Sequence, residues 1–162
     1  MNVDVLNLEW TSTPSRDREV ATMVCNYLRF QGLSVSEGSI FNGYHLINKL
    51  KPKILFMTNT VGSRLSQNVM RHAKKKKVVV ITGFSEGYLR KETLDEMVWG
   101  HNKNKLLFED SLLVWSTRSL NMILDEYPDL KLSLKVSGSV GLDRYTILNV
   151  LKKKENQDSL TV

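Results

Sequence analysis

The chain has 162 residues, 41% of them hydrophobic and 25% charged, an ordinary globular balance that excludes intrinsic disorder. A chain of this length buries roughly two-thirds of the surface its unfolded form exposes, enough for one sizeable core and hence for one domain. The net charge of +6 suggests a nucleic-acid reader until it is localised: Arg71, Lys74, Lys75, Lys76 and Lys77 supply five positive charges in one short run, and the remainder is nearly neutral.

Val3, Val5, Leu8 and Trp10 predict a short first strand. Thr11, Ser12, Thr13, Pro14 and Ser15 then supply turn and N-cap chemistry, and Val20, Met23, Val24, Tyr27 and Leu28 recur at helical spacing over residues 16–30. Gly32 stops that helix before a short strand at 33–35. A short helix over 45–50 ends at Pro52, and Ile54, Leu55, Phe56 and Met57 form the continuous apolar run that a strand buried on both faces requires. Ser63 opens the next helix, with Leu65, Val69 and Met70 on one side, and the basic run closes it. Val78, Val79, Val80 and Ile81 give the strongest signal of a buried strand, after which Thr82 and Gly83 turn the chain. Residues 84–109 are less regular, with a short helix near 93–98 and a polar link over 100–105. A strand at 111–115, a helix over 117–127 stopped by Pro128, and a last strand at 132–136 lead to Gly138.

Strands alternating with helices predict an α/β domain: a Rossmann-like three-layer sandwich with a mainly parallel sheet of about six strands, covering residues 3–150 and followed by a loose tail over 151–162. Ligands of such sheets bind beyond the carboxyl ends of the strands, near the point where strand order reverses. Function is therefore sought in segments 9–18, 58–63, 82–88, 116–118 and 138–143. The same topology puts Lys74, Lys75, Lys76 and Lys77 at the opposite edge. There they read as a helix C-terminal cap and as a guard on an apolar strand, with attraction to an anionic membrane surface as a further role. Nucleic acid is disfavoured, because no aromatic or polar base readers interleave with the run.

No G-x-G-x-x-G follows the first strand, no G-x-x-x-x-G-K-[ST] occurs, and no G-x-S-x-G elbow marks a hydrolase. His45, His72, His101 and Cys25 lie at no metal-ligand spacing, so neither a metal nor another cofactor is expected. The longest apolar runs fall far short of the roughly 20 residues that span a bilayer. Asp4, Asn7 and Glu9 interrupt any signal peptide, and the single cysteine has no disulfide partner. The expected setting is the cytoplasm, with peripheral contact to the inner membrane face through the lysine run. Thr11, Ser12 and Thr13 with Arg16 suit an anion, since a helix N-terminus offers backbone donors and a guanidinium pairs with phosphate; ordinary capping accounts for the same residues. Asn59, Thr60 and Gly62 follow the third strand, and a simple turn explains them equally well. Gly83 and Glu86 follow the fourth, where a carboxylate can orient a hydroxyl or take its proton.

Taken in order, these segments resemble the N-terminal half of surface-carbohydrate (surface polysaccharide) biosynthesis proteins, which are similar to GT-B glycosyltransferases. The likeness runs over about residues 3–150. It is carried by Glu9 after the first strand, the Arg16-Asp17 pair, Gly32-Leu33-Ser34-Val35 and Lys51-Pro52-Lys53-Ile54. Asn59 with Gly62, Glu86-Gly87, Val114-Trp115, and Val136-Ser137-Gly138 with Asp143 complete it. Where the family carries an Asn-Pro-Arg-like step after that last glycine, this chain has Ser139, Val140 and Gly141. The resemblance implies an acceptor-side domain that works opposite a second, nucleotide-sugar domain, so this chain is expected to be an excised or shortened half, inactive alone. It implies attack of an acceptor hydroxyl on the anomeric carbon of a nucleotide-activated sugar, with a base from the first domain and no bound metal. The partners expected on this reading are a carbohydrate or phosphate-bearing acceptor and a second chain or domain that binds the nucleotide sugar. The alternatives are a stand-alone flavodoxin-like or receiver-like binding domain and a nonenzymatic partner subunit.

Overall fold

The computed structural model describes residues 2–10, 15–59, 63–84 and 89–139, with the backbone alone at Arg16. Strands β1 (Val5–Glu9), β2 (Val35–Ser39), β3 (Ile54–Met57), β4 (Val79–Gly83), β5 (Ser111–Val114) and β6 (Leu134–Val136) alternate with helices α1 (Arg16–Phe30), α2 (Gly43–Leu50), α3 (Arg64–Lys75), α4 (Leu94–Trp99) and α5 (Thr117–Glu126). Short 3-10 turns precede α2 and α4 and follow α5. Three of the helices start on a serine whose hydroxyl oxygen accepts from a backbone N–H of the first turn: Ser15 from Arg18, Ser63 from Ser66 and Ser116 from Ser119. Each such cap satisfies a donor that the helix itself cannot and fixes where the chain stops extending and starts to coil.

The strands form one parallel sheet in the order β2-β1-β3-β4-β5-β6. Parallel neighbours need crossovers, and those crossovers are right-handed. The step from β1 to β2 runs one way and all later steps run the other, so α1 covers one face and α2 to α5 the other. Side-chain alternation agrees. Leu6, Leu8, Leu55, Met57 and Val80 pack with Ile47, Val69 and Met70 in one buried cluster. Leu112, Val114 and Leu134 continue that face against Ile123. Val5, Asn7, Glu9 and Phe56 point the other way and are also buried, with Ala21 and Cys25 supplying the buried side of α1. Burial pushes the Cys25 thiol up to about 11, so it is an inert core residue.

Several boundaries differ from the sequence expectation. The second strand falls at 35–39 instead of 33–35, and the fourth extends through Thr82 and Gly83 instead of ending at Ile81. The last is shorter, because Pro128 opens a 3-10 turn that runs to Leu132. The fourth strand is also not buried on both faces. Val80 is fully buried, but Val79 is 43% exposed and Ile81 half-buried, since among the described residues no helix covers this part of the α1 face. The irregular stretch before β5 is tied down by the Asp95 carboxylate, which accepts from Lys105 Nζ and from the Tyr127 hydroxyl. The Trp99 ring meets that of Tyr127 edge-on with centroids 5.5 Å apart.

At the amino edge of the sheet Asp4 accepts from Ser34 N at 2.9 Å, Ser34 Oγ at 2.6 Å and Lys53 Nζ at 2.7 Å, joining the starts of β1, β2 and β3. The Lys53 ammonium and the Ser34 donors hold its carboxyl well below the usual carboxylate range. The lysine run lies at this edge as well, closing α3 before β4. Lys74 is paired with Asp110 at 2.6 Å, so that cation is committed within the fold. No helix among the described residues is long and apolar enough to cross a membrane.

Candidate functional site

Strand order reverses between β1 and β3, and the crevice expected at such a point opens beyond their carboxyl ends. Glu9 is the last residue of β1 and, by continuation of the β1–β3 register, lies beside Thr58. Its carboxylate Oε1 accepts from Thr58 N at 3.1 Å and from Asn7 Nδ2 at 2.9 Å, and Oε2 accepts from Thr58 Oγ1 at 2.6 Å. Asn7 Nδ2 also donates to the Phe56 carbonyl at 3.2 Å. Glu9 is only 5% exposed, and burial pushes its carboxyl up from the ordinary glutamate value, with the nearby Asp17 charge adding to the rise. The donors from Thr58 and Asn7 favour the ionised form and oppose that rise. The result is a carboxyl group held rigidly at the switch point, with its titration moved toward neutrality. Acid–base chemistry on a hydroxyl uses such a group.

Two further buried oxygens have no hydrogen-bond partner among the described residues, Asn7 Oδ1 and Thr82 Oγ1. Asn7 lies under α1 beside Glu9, whereas Thr82 points to the opposite face, level with Met57 and Leu112. On the rim, Trp10 follows Glu9 directly and Phe41 lies just past β2. Their rings meet edge-on with centroids 5.8 Å apart, and both are exposed. A polar cleft lined by Arg64, Gln67, His101, Asn102, Lys103 and Asn104 opens at the start of α3. A smaller cavity that shares Gln67 and Asn102 with that cleft reaches Gly83 and Phe84 at the end of β4.

Of the residues singled out from the sequence, the structure places Gly83 at the carboxyl end of β4 and the half-buried Asn59 just past β3. Arg16 is the first residue of α1. Thr11, Ser12, Thr13, Thr60, Gly62 and Glu86 lie outside the described residues. Gly83 has a packing role: a Cβ there would sit 2.8 Å from the Thr58 carbonyl oxygen, so β3 and β4 approach each other as closely as they do only without a side chain. Replacing Gly83 by Ala forces that backbone apart and is expected to cost about 1–3 kcal/mol of stability in urea unfolding. The displaced carbonyl belongs to the residue that holds Glu9.

Asn7, Glu9 and Thr58 carry the best-built part of the crevice; Glu9 and Thr58 open two of the segments that topology singles out, but the sequence reading gave none of the three a binding or catalytic role. Among the described residues no group of three or more His, Cys, Asp or Glu side chains is placed to hold a metal ion. No protein-family model and no curated protein matches the chain.

Proposed function

We propose that the chain is the acceptor-side half of a GT-B-like glycosyltransferase of surface polysaccharide assembly, and that a hydroxyl-rich acceptor binds in the crevice beyond β1, β3 and β4. The observation that carries this reading is the buried Glu9 carboxyl, held by Thr58 and Asn7 at the switch point of a parallel sheet. An acceptor hydroxyl that donates to this carboxylate is oriented for attack on the anomeric carbon of an activated sugar. A carboxyl with a raised titration point is a competent proton acceptor near neutral pH. The exposed Trp10–Phe41 pair supplies the apolar surface on which the carbon-bound faces of a sugar ring pack. Arg64 and Lys103 in the neighbouring cleft suit a phosphate on the acceptor. In this reading Glu9 takes the role first considered for Glu86, and the nucleotide-sugar site belongs to a second domain or chain. The lysine run, at the opposite edge, is the surface that would meet an anionic membrane.

The strand order favours a second reading, because a 2-1-3-4-5 arrangement is also that of flavodoxin-like domains, which bind their ligand at the same switch point. Amide chemical-shift mapping of the isotopically labelled chain separates the two. Titration with a hexose phosphate is expected to shift Thr58, Asn59, Gly83 and the Trp10 indole N–H, and UDP-hexose is expected to undergo no turnover. Saturable binding of FMN with no response to sugars favours the flavodoxin-like reading. Shifts confined to residues 74–77 sink both.

A further inference from the structure

The strands of a parallel sheet all begin at one edge, and that edge gathers the ends of the helices that lead into them. Here the last turns of α1, α2 and α3 meet the starts of β2, β1, β3 and β4, four strands within a width of about 14 Å. Lys49 and Lys51 at the end of α2 and Lys75, Lys76 and Lys77 at the end of α3 are all exposed, and none makes an ion pair among the described residues. Asp4 and Asp110 on the same edge are committed to Lys53 and Lys74. Beside the lysines, Phe30 closes α1 with 84% of its surface exposed, and Leu33 in the turn that follows is 38% exposed. Helix C-termini attract cations, which accounts for part of this charge. Two features are left over. Lys51 and Lys77 stand at φ of +44° and +62°, where glycine is the unstrained choice and an L side chain costs stability. Lys105 also has a positive φ, but its ammonium is bound to Asp95, whereas Lys51 and Lys77 make no such pair among the described residues. Nor do helix dipoles give a reason to hold Phe30 and Leu33 in water next to the charges.

We propose that this edge docks on an anionic lipid bilayer, with Phe30 and Leu33 entering the boundary between headgroups and acyl chains and Lys49, Lys51, Lys75, Lys76 and Lys77 meeting the headgroup phosphates. The inference rests on the membrane role given above to the lysine run and widens it to a face with apolar anchors; it does not depend on what the crevice binds. A bilayer fits this face better than a small anion or a nucleic acid. Three helices present the negative ends of their dipoles here, so the attraction is the summed field of many ammonium groups and not a cage of backbone donors around one phosphate. Lysine is a hydrated point charge without the planar fork that reads a base edge. Phe30 and Leu33 gain only from a phase that takes their apolar surface out of water, and a bilayer supplies one beneath its charged headgroups. Docked in this way, the chain holds its crevice about 16 Å away, at the far ends of the strands and toward the aqueous side.

Cosedimentation of the full chain with vesicles of phosphatidylcholine and phosphatidylglycerol in equal parts tests the assignment, with pure phosphatidylcholine as the uncharged reference. Every side chain to be changed is exposed, so the variants keep the fold. Binding to the charged vesicles is expected to exceed binding to the reference and to fall with added salt. Lys49→Gln with Lys51→Gln, and separately Lys75→Gln with Lys76→Gln and Lys77→Gln, are expected to weaken it by roughly fivefold per lysine removed. Phe30→Ser is expected to weaken it roughly tenfold, whereas Phe41→Ser, which removes an exposed phenyl ring at the opposite edge, leaves it unchanged. A loss confined to the variant at 75–77 keeps the membrane role of the lysine run and overturns the wider docking face, as does an equal loss at Phe30 and Phe41. No preference for the charged vesicles, or displacement from them by a short DNA duplex, overturns the role of the run as well.

Discussion

Replacing Glu9 by Ala is expected to lower stability by about 2–4 kcal/mol, because it strands the Thr58 N–H and hydroxyl without their acceptor in a buried setting. Asn7 Nδ2 keeps the Phe56 carbonyl and adds little. Glu9→Gln behaves differently. Its amide oxygen can accept from Thr58 N and Asn7 as the carboxylate does, and its NH2 can donate to the Thr58 hydroxyl oxygen, so the network survives. What changes is the pH dependence. Burial raises the folded Glu9 carboxyl above its ordinary value. Between the ordinary value and the raised one, the native chain holds a proton that the unfolded chain has released. The associated stability is therefore full at low pH and is lost as pH rises through the folded value. Gln binds no proton in either state. Urea midpoints measured from pH 4 to 8 are thus expected to favour Glu9→Gln over the parent progressively as pH rises. A constant gap shows that Glu9 titrates normally, and that result removes the basis for treating it as an acid–base group. On the proposed glycosyltransferase reading, Glu9→Gln assayed together with a nucleotide-sugar domain is expected to retain acceptor binding and lose transfer.

The alternation of strand and helix was legible because its punctuation is chemical: Ser15 and Ser63 cap helices, and Ile54 to Met57 form the continuous apolar run of a core strand. The second strand was misplaced for an equally physical reason. Val35 to Ser39 is an edge strand, half-buried at every position, so it carries no apolar run. Backbone pairing with β1 and the Arg29–Glu37 ion pair at 2.6 Å hold it. Thr82 and Gly83 read as a turn, yet they extend β4 because Met57 gives Thr82 a partner and Gly83 fits against the Thr58 carbonyl. The site was hidden by the same kind of ambiguity. Alternation of Leu6 and Leu8 with Asn7 and Glu9 suggests one apolar and one wet face. In a central parallel strand with a helix over each face, both sides are buried and the two polar residues turn inward. The order of strands was needed to see that Asn7 and Glu9 are core residues, and order is what a single sequence states least directly. The crevice segments followed from topology alone, whereas the hydrogen bonds that make Glu9 the centre of the crevice required side-chain register.

Leu55→Ala is expected to be among the most destabilising single truncations in the molecule, at about 2–5 kcal/mol. Leu55 sits in the middle of β3, with β1 on one side and β4 on the other, and is fully buried beneath the α2–α3 layer. Its neighbours on that face, Leu6 and Val80, are also fully buried and are anchored by backbone pairing. They cannot collapse into the space that the lost side chain leaves. The cost therefore includes a cavity as well as the lost transfer free energy. The same substitution at Leu132, 86% exposed in the turn after α5, removes the same atoms from a side chain already in water and is expected to stay within about 0.5 kcal/mol. Paired urea melts measure the contrast directly. Similar losses at the two positions mean that Leu132 is covered in solution, whereas a negligible loss at Leu55 means that β3 is not the centre of the sheet. In that second case the reversal of strand order between β1 and β3, on which the location of the crevice depends, is wrong.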